Sequence, residues 1–145
     1  MSQRYWDDVL EGEALAPLAF VLSVYRLVVA AGANRDFNAI HHNSEYARST
    51  GAPDMYANTL FLQGMWERSV RDYIGLAGKI HSLKGFRMSS FNCAGDTVMV
   101  KGEVLLTWPD GKVHFVDIRL WSENSQGVSV GPGAMVVSLP VRTQA

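Results

Sequence analysis

The chain changes its hydrophobic period twice, and these changes divide it into elements. Residues 1–13 are a polar lead-in in which Tyr5 and Trp6 are the anchors. Leu18 to Leu22 is a short apolar run that reads as a strand. Ser23 is placed to cap a helix over Val24 to Ala31, with Gly32 as its stop. A polar cluster follows over residues 34–45, and Glu45 to Arg48 reads as one helical turn. From residue 57 to residue 74 the spacing is helical again. Phe61/Leu62, Met65/Trp66, Ser69/Val70 and Tyr73 form an apolar-to-small stripe, and Gly75 is the stop. At ~1.5 Å per residue this helix is roughly 27 Å long, and its wide apolar surface predicts that it is largely enclosed.

After Gly78 the period falls to two. Ile80 to Phe91 reads as a strand with an irregular middle. Val98, Val100, Gly102, Val104 and Leu106 alternate with Lys101 and Glu103, and Val116, Ile118 and Leu120 alternate with Asp117 and Arg119. Pro109-Asp110-Gly111 and Ser125-Gln126-Gly127 are turn signals, and Ala134 to Leu139 closes the sheet. Strands joined by such short turns must be antiparallel. One long apolar helix and one antiparallel sheet satisfy each other's need for burial if the sheet curves around the helix. The expectation is an α+β fold in a single domain, residues 1–145. Its exposed sheet edges favour dimerisation by edge pairing.

Composition narrows the function classes. With 145 residues, 48% apolar and 19% charged, the chain is an ordinary globular protein. A net charge of −1 and the lack of a basic block argue against nucleic acid or an anionic membrane surface as partner. The apolar stretch from Ala14 to Ala33 is interrupted by Pro17, Ser23, Tyr25 and Arg26, so it does not read as a membrane span. A lone cysteine, Cys93, excludes an internal disulfide and favours a reducing, cytoplasmic compartment.

The densest chemistry lies in Arg35-Asp36-Phe37-Asn38-Ala39-Ile40-His41-His42-Asn43. A carboxylate and an imidazole five residues apart converge on one water if the loop between them turns, and that arrangement suits general acid–base work. An unperturbed imidazole titrates near ~6.5, which favours His41 as the main base, while the sequence leaves open which of Asp36 and His41 is acid and which is base. Phe37 and Ile40 are the apolar neighbours expected to shield Asp36. The adjacent His41-His42 lacks the further ligands of a metal site, so no metal is expected.

The run Asp36-Phe37-Asn38-x-Ile40-His41, with Asn43 and Ala47 after it, resembles the hydratase motif of the MaoC-like (R)-specific enoyl-CoA hydratase/dehydratase family. Gly95-Asp96-Thr97-Val98, Gly102-Glu103-Val104 and Val136 to Pro140 are similar to that family's strands. Arg35-Asp36-Phe37-x3-His41-His42, with Gly51, Asp54, Asn58 and Gly75, is similar to the small subunit of steroid side-chain enoyl-CoA hydratases. Two positions depart from the pattern: Ala39 stands for the family's proline, and Tyr56-Ala57 for its helix-opening His-Gly pair.

The resemblance implies the hot-dog fold, a curved antiparallel sheet wrapped around one long central helix. It implies reversible hydration of a trans-2-enoyl-CoA thioester to a 3-hydroxyacyl-CoA, in fatty-acid or steroid side-chain acyl-CoA metabolism. Asp36 and His41 would hold one water between them as the catalytic pair. The backbone N–H of Ala57 would meet the thioester oxygen, and Asn38, Asn43, Tyr56 and Asn58 would bind substrate or support the loops. No cofactor is implied, coenzyme A being part of the substrate. The implied assembly is a homodimer or a heteromer with a second hot-dog chain. Two alternatives stand beside this one. One is a non-catalytic or half-site subunit of a heteromeric hydratase. The other is an acyl-CoA thioesterase, for which Glu67 is the only glutamate on the long helix.

Overall fold

A computed structural model describes residues 2–142; residue 1 and residues 143–145, the extremes of the expected 1–145 domain, lie outside the described residues. Among the described residues five strands form one antiparallel sheet: β1 (Leu18–Val21), β2 (Lys79–Lys84), β3 (Thr97–Asp110), β4 (Val113–Asn124) and β5 (Gly127–Leu139). Their spatial order is β1-β3-β4-β5-β2, so β1 and β2 are the edges. Among the described residues three α-helices accompany the sheet: α1 (Val24–Ala33), α2 (Ser44–Ser49) and α3 (Thr59–Ile74). The sheet curls over α3, and this is the α+β hot-dog architecture.

The core joins the inner face of the sheet to one face of α3. Val98, Val100, Val104, Val116, Ile118 and Leu120 meet Leu62, Met65, Trp66, Val70 and Ile74, all fully or nearly fully buried. Trp66 Nε1 donates to Ser122 Oγ at 2.8 Å, which satisfies the one polar atom of the largest buried side chain. Only that face of α3 is enclosed. Leu60, Gly64, Glu67 and Arg68 on the opposite face are exposed, so the helix expected to be largely enclosed is covered on one side only.

Three further boundaries differ from the sequence reading. A bulge between Val104 and Leu106 makes Leu105 an extra residue, so Leu106 falls opposite Asp117 on the outer face instead of joining the core. The strand expected over Ile80 to Phe91 stops at Lys84, because Gly85 takes φ 64° and turns the chain out of the sheet. The closing strand is longer than Ala134 to Leu139 and starts at Gly127. No helix among the described residues is long and apolar enough to cross a membrane.

Candidate active site

The loop after α1 is set by the way that helix ends. Gly32 does not stop it; α1 runs on to Ala33, with Asn34 as its C-cap. Arg35 then takes φ 56°, its N–H donates to the Gly32 carbonyl, and the Asp36 N–H donates to the Ala31 carbonyl at 2.9 Å. This is a Schellman closure with an arginine where glycine is usual. It fixes the backbone from which the Asp36 carboxylate projects.

His41 ends a 3-10 turn, Ala39–His41, that Asn38 caps by accepting from the Ile40 N–H at 3.2 Å. The turn brings His41 Nε2 to 3.0 Å from Asp36 Oδ2. The imidazole is buried, at 7% exposure, whereas the carboxylate is 39% exposed. His41 Nδ1 lies 2.8 Å from the carbonyl oxygen of Tyr56, and the Tyr56 N–H donates to the Ile40 carbonyl at 3.2 Å. Main chain at residue 56 therefore holds the histidine turn from two sides. A carbonyl only accepts, so Nδ1 carries a proton. Nε2 and Oδ2 then share the next one, with the proton on one or the other. The two groups touch directly. At that distance no water fits between the facing Nε2 and Oδ2 atoms, where the resemblance implies one.

Asn43 caps α2 by accepting from the Tyr46 N–H at 2.9 Å, and Asn58 caps α3 by accepting from the Phe61 N–H at 2.8 Å. Asn58 Oδ1 also accepts from Asn34 Nδ2 at 3.2 Å, which ties the start of α3 to the end of α1. The three carboxamides thus support the loops. Tyr56 presents its ring edge-on to His41, with centroids 5.4 Å apart, and packs on Phe91 at 4.8 Å. Burial, then Cys93 and Asp36, push its phenol above the usual tyrosine range. Phe37, expected to shield Asp36, is 73% exposed, while Ile40 is half-buried against the core.

Ala57 is not on α3; it lies two residues before the helix begins. Its N–H donates to the Asn92 carbonyl at 2.9 Å, within a short antiparallel pairing of Tyr56 with Cys93. The amide expected to meet a thioester oxygen is therefore taken by the chain itself. Sequence reasoning missed Asn92, which is buried with its Nδ2 unpartnered. Tyr56, Ala57, Met88, Phe91 and Asn92 line a cleft of about 250 Å³. Glu67 faces away from the core and lies 3.9 Å from Arg71. No group of three or more His, Cys, Asp or Glu among the described residues is placed to hold a metal ion.

No family model matches the sequence. Over 78 residues the chain is 37% identical to the 3-oxo-4,17-pregnadiene-20-carboxyl-CoA hydratase beta subunit of Mycobacterium tuberculosis. That match spans 54% of this chain and 60% of the relative, less than two thirds of its length. A chain in the crystal structure of the ChsH1-ChsH2 complex from Mycobacterium tuberculosis is 30% identical, with a TM-score of 0.79; the match covers 92% of this chain and 98% of that one. The unliganded R-hydratase PhaJ1 from Pseudomonas aeruginosa shares the fold, with a TM-score of 0.84 at 18% identity over 95% of this chain and 86% of its own.

Proposed function

This chain belongs to the MaoC-like family of hot-dog hydratases and dehydratases, and on that premise we propose that it hydrates a trans-2-enoyl-CoA reversibly to a 3-hydroxyacyl-CoA. The observation that carries this reading is the Asp36–His41 contact, 3.0 Å from Oδ2 to Nε2, with Nδ1 anchored on the Tyr56 carbonyl. Water docks at the more exposed Asp36 carboxylate. Asp36 takes a proton from it as the water oxygen bonds to C3, and His41 gives the proton on Nε2 to C2. One O–H bond breaks, one C–O and one C–H bond form, and the double bond is consumed. The proton taken by Asp36 passes to Nε2, which restores the pair. These roles reverse the expectation that His41 is the main base, because its Nδ1 is already committed and its Nε2 faces the carboxylate.

A half-site subunit is the second reading. The observation that favours it is the Ala57 amide, bonded to Asn92 rather than free for a thioester oxygen. The similar chain in a two-protein complex points the same way. In that reading a partner hot-dog chain supplies the missing donor. Mixing the purified chain with a trans-2-enoyl-CoA and following the conjugated thioester absorbance separates the two. Turnover by the chain alone supports the self-sufficient enzyme, and turnover only with a second chain supports the half-site.

A further inference from the structure

Addition of water at C3 of an enoyl thioester gathers negative charge on the thioester oxygen, and a donor fixed at that oxygen lowers the barrier. The Ala57 amide is taken, bonded to the Asn92 carbonyl at 2.9 Å. Other donors line the same cleft. Ser89 Oγ is spent on the Val128 carbonyl at 3.1 Å. Asn92 Nδ2 has no partner, but it is sealed from solvent, and Asn92 Oδ1 is held by Asn124 Nδ2 at 3.1 Å. Ser90 and Tyr56 remain.

A donor for the thioester oxygen and the pair that moves the protons must both reach one small substrate unit. Among the described residues that line the cleft, Tyr56 is the one hydrogen-bonded to the dyad. Its carbonyl holds His41 Nδ1, its N–H is held by the Ile40 carbonyl, and its main chain pairs with Cys93. Its ring is clamped between two others, 5.4 Å from the His41 ring and 4.8 Å from the Phe91 ring, centroid to centroid. The phenol is therefore fixed in direction before any substrate arrives, which is what electrostatic stabilisation of a developing charge requires.

The hydroxyl itself is unspent. It has no hydrogen-bond partner among the described residues, and unlike Asn92 Nδ2 it is not sealed from solvent. A half-buried hydroxyl gains when a ligand oxygen accepts its bond. Burial, then Cys93 and Asp36, hold the phenol above its ordinary value, so it keeps its proton through the neutral range.

We propose that the Tyr56 hydroxyl is the donor to the thioester oxygen, in place of the Ala57 amide; this rests on the hydratase reading above. Tyr56 donates a hydrogen bond and transfers no proton, so the bonds made and broken are those of the Asp36–His41 step. It places the donor in this chain, where the half-site reading takes it from a partner.

Tyr56→Phe keeps the ring and the main chain and removes only the hydroxyl. Turnover of crotonyl-CoA is measured for wild type and Tyr56→Phe, with any required partner chain present. Tyr56→Phe is expected to lose about 100-fold in kcat, with KM within about 3-fold of wild type. A second readout does not depend on turnover. In Asp36→Asn, which leaves bound substrate largely unreacted, the infrared stretch of crotonyl-CoA isotope-labelled at the carbonyl carbon is expected to fall on binding. It is expected to return to its free value when Tyr56→Phe is added.

A kcat within a few-fold of wild type, a rise in KM alone, or a carbonyl stretch that Tyr56→Phe leaves unchanged would overturn the assignment. An active wild type with an unaffected Tyr56→Phe overturns the donor alone. A wild type that does not turn over crotonyl-CoA would overturn the hydratase reading and this inference with it.

Discussion

His41 Nδ1 lies 2.8 Å from the carbonyl oxygen of Tyr56, and this main-chain contact fixes which nitrogen of the imidazole carries the permanent proton. Nε2 is thereby turned to Asp36 Oδ2, 3.0 Å away. Long-range proton–nitrogen NMR correlations of His41 are expected to show Nδ1 protonated in the free chain. A spectrum with the proton on Nε2 alone would remove the basis for the assigned roles.

Arg35 holds a left-handed conformation, φ 56°, one residue before Asp36. That region costs a residue with a Cβ roughly 1–2 kcal/mol. Glycine occupies it freely but loses more freedom on folding. Arg35→Gly is therefore expected to raise stability by about 1 kcal/mol in urea denaturation. The Asp36 N–H would keep its bond to the Ala31 carbonyl, so turnover is expected to stay close to wild type. A destabilised variant would contradict the strain.

Asn58 caps α3 and receives the Asn34 amide, which links the two helices that flank the dyad. Replacing an N-cap carboxamide by alanine typically costs about 1 kcal/mol. Asn58→Ala is expected to lose at least that much in thermal denaturation, and Asn58→Asp, which retains a capping oxygen, to lose less. Equal losses would mean that the cap contributes little.

The Tyr73 hydroxyl donates to the Glu13 carboxylate, which also takes Arg4 Nη2 at 2.6 Å. Burial first, and then Glu13, push the Tyr73 phenol above its ordinary value. The folded chain holds this proton at a pH where the unfolded chain has released it, so the unfolded state binds fewer protons and stability falls as pH rises. The contribution is complete below about pH 10, the ordinary tyrosine value, and is lost above it. Between about pH 10 and pH 11.5, wild-type stability is expected to fall more steeply than that of Tyr73→Phe. Parallel profiles would contradict the linkage.

Much of the fold is legible in the sequence because burial imposes a period. Val98, Val100 and Val104 alternate, as do Val116, Ile118 and Leu120, and these residues form the inner face of the sheet. The bulge at Leu105 leaves no such mark, since a leucine fits either face of a sheet, and Leu106 was lost to the core for that reason. The end of α1 was hidden because the left-handed residue is Arg35 and not the nearby Gly32. Asp36 and His41 are legible because both sit in one short loop. The Asn92 carbonyl that takes the Ala57 amide is remote in sequence and acts through main chain, which no side-chain pattern records. How much of α3 stays open is not legible, because apolar spacing reveals that a stripe seeks cover without saying how far round the helix the cover extends.

The central claim is that Asp36 and His41 act as one proton-transfer unit on an enoyl thioester. The most direct measurement is kcat for hydration by wild type, Asp36→Asn, His41→Ala and the double variant, with any required partner chain present and folding checked by circular dichroism. The account predicts that each single variant loses about 10²–10⁴-fold, and that the double variant loses little more than either single one, since the two share one step. Folded single variants that retain activity within a few-fold of wild type, or losses that multiply in the double variant, would contradict it.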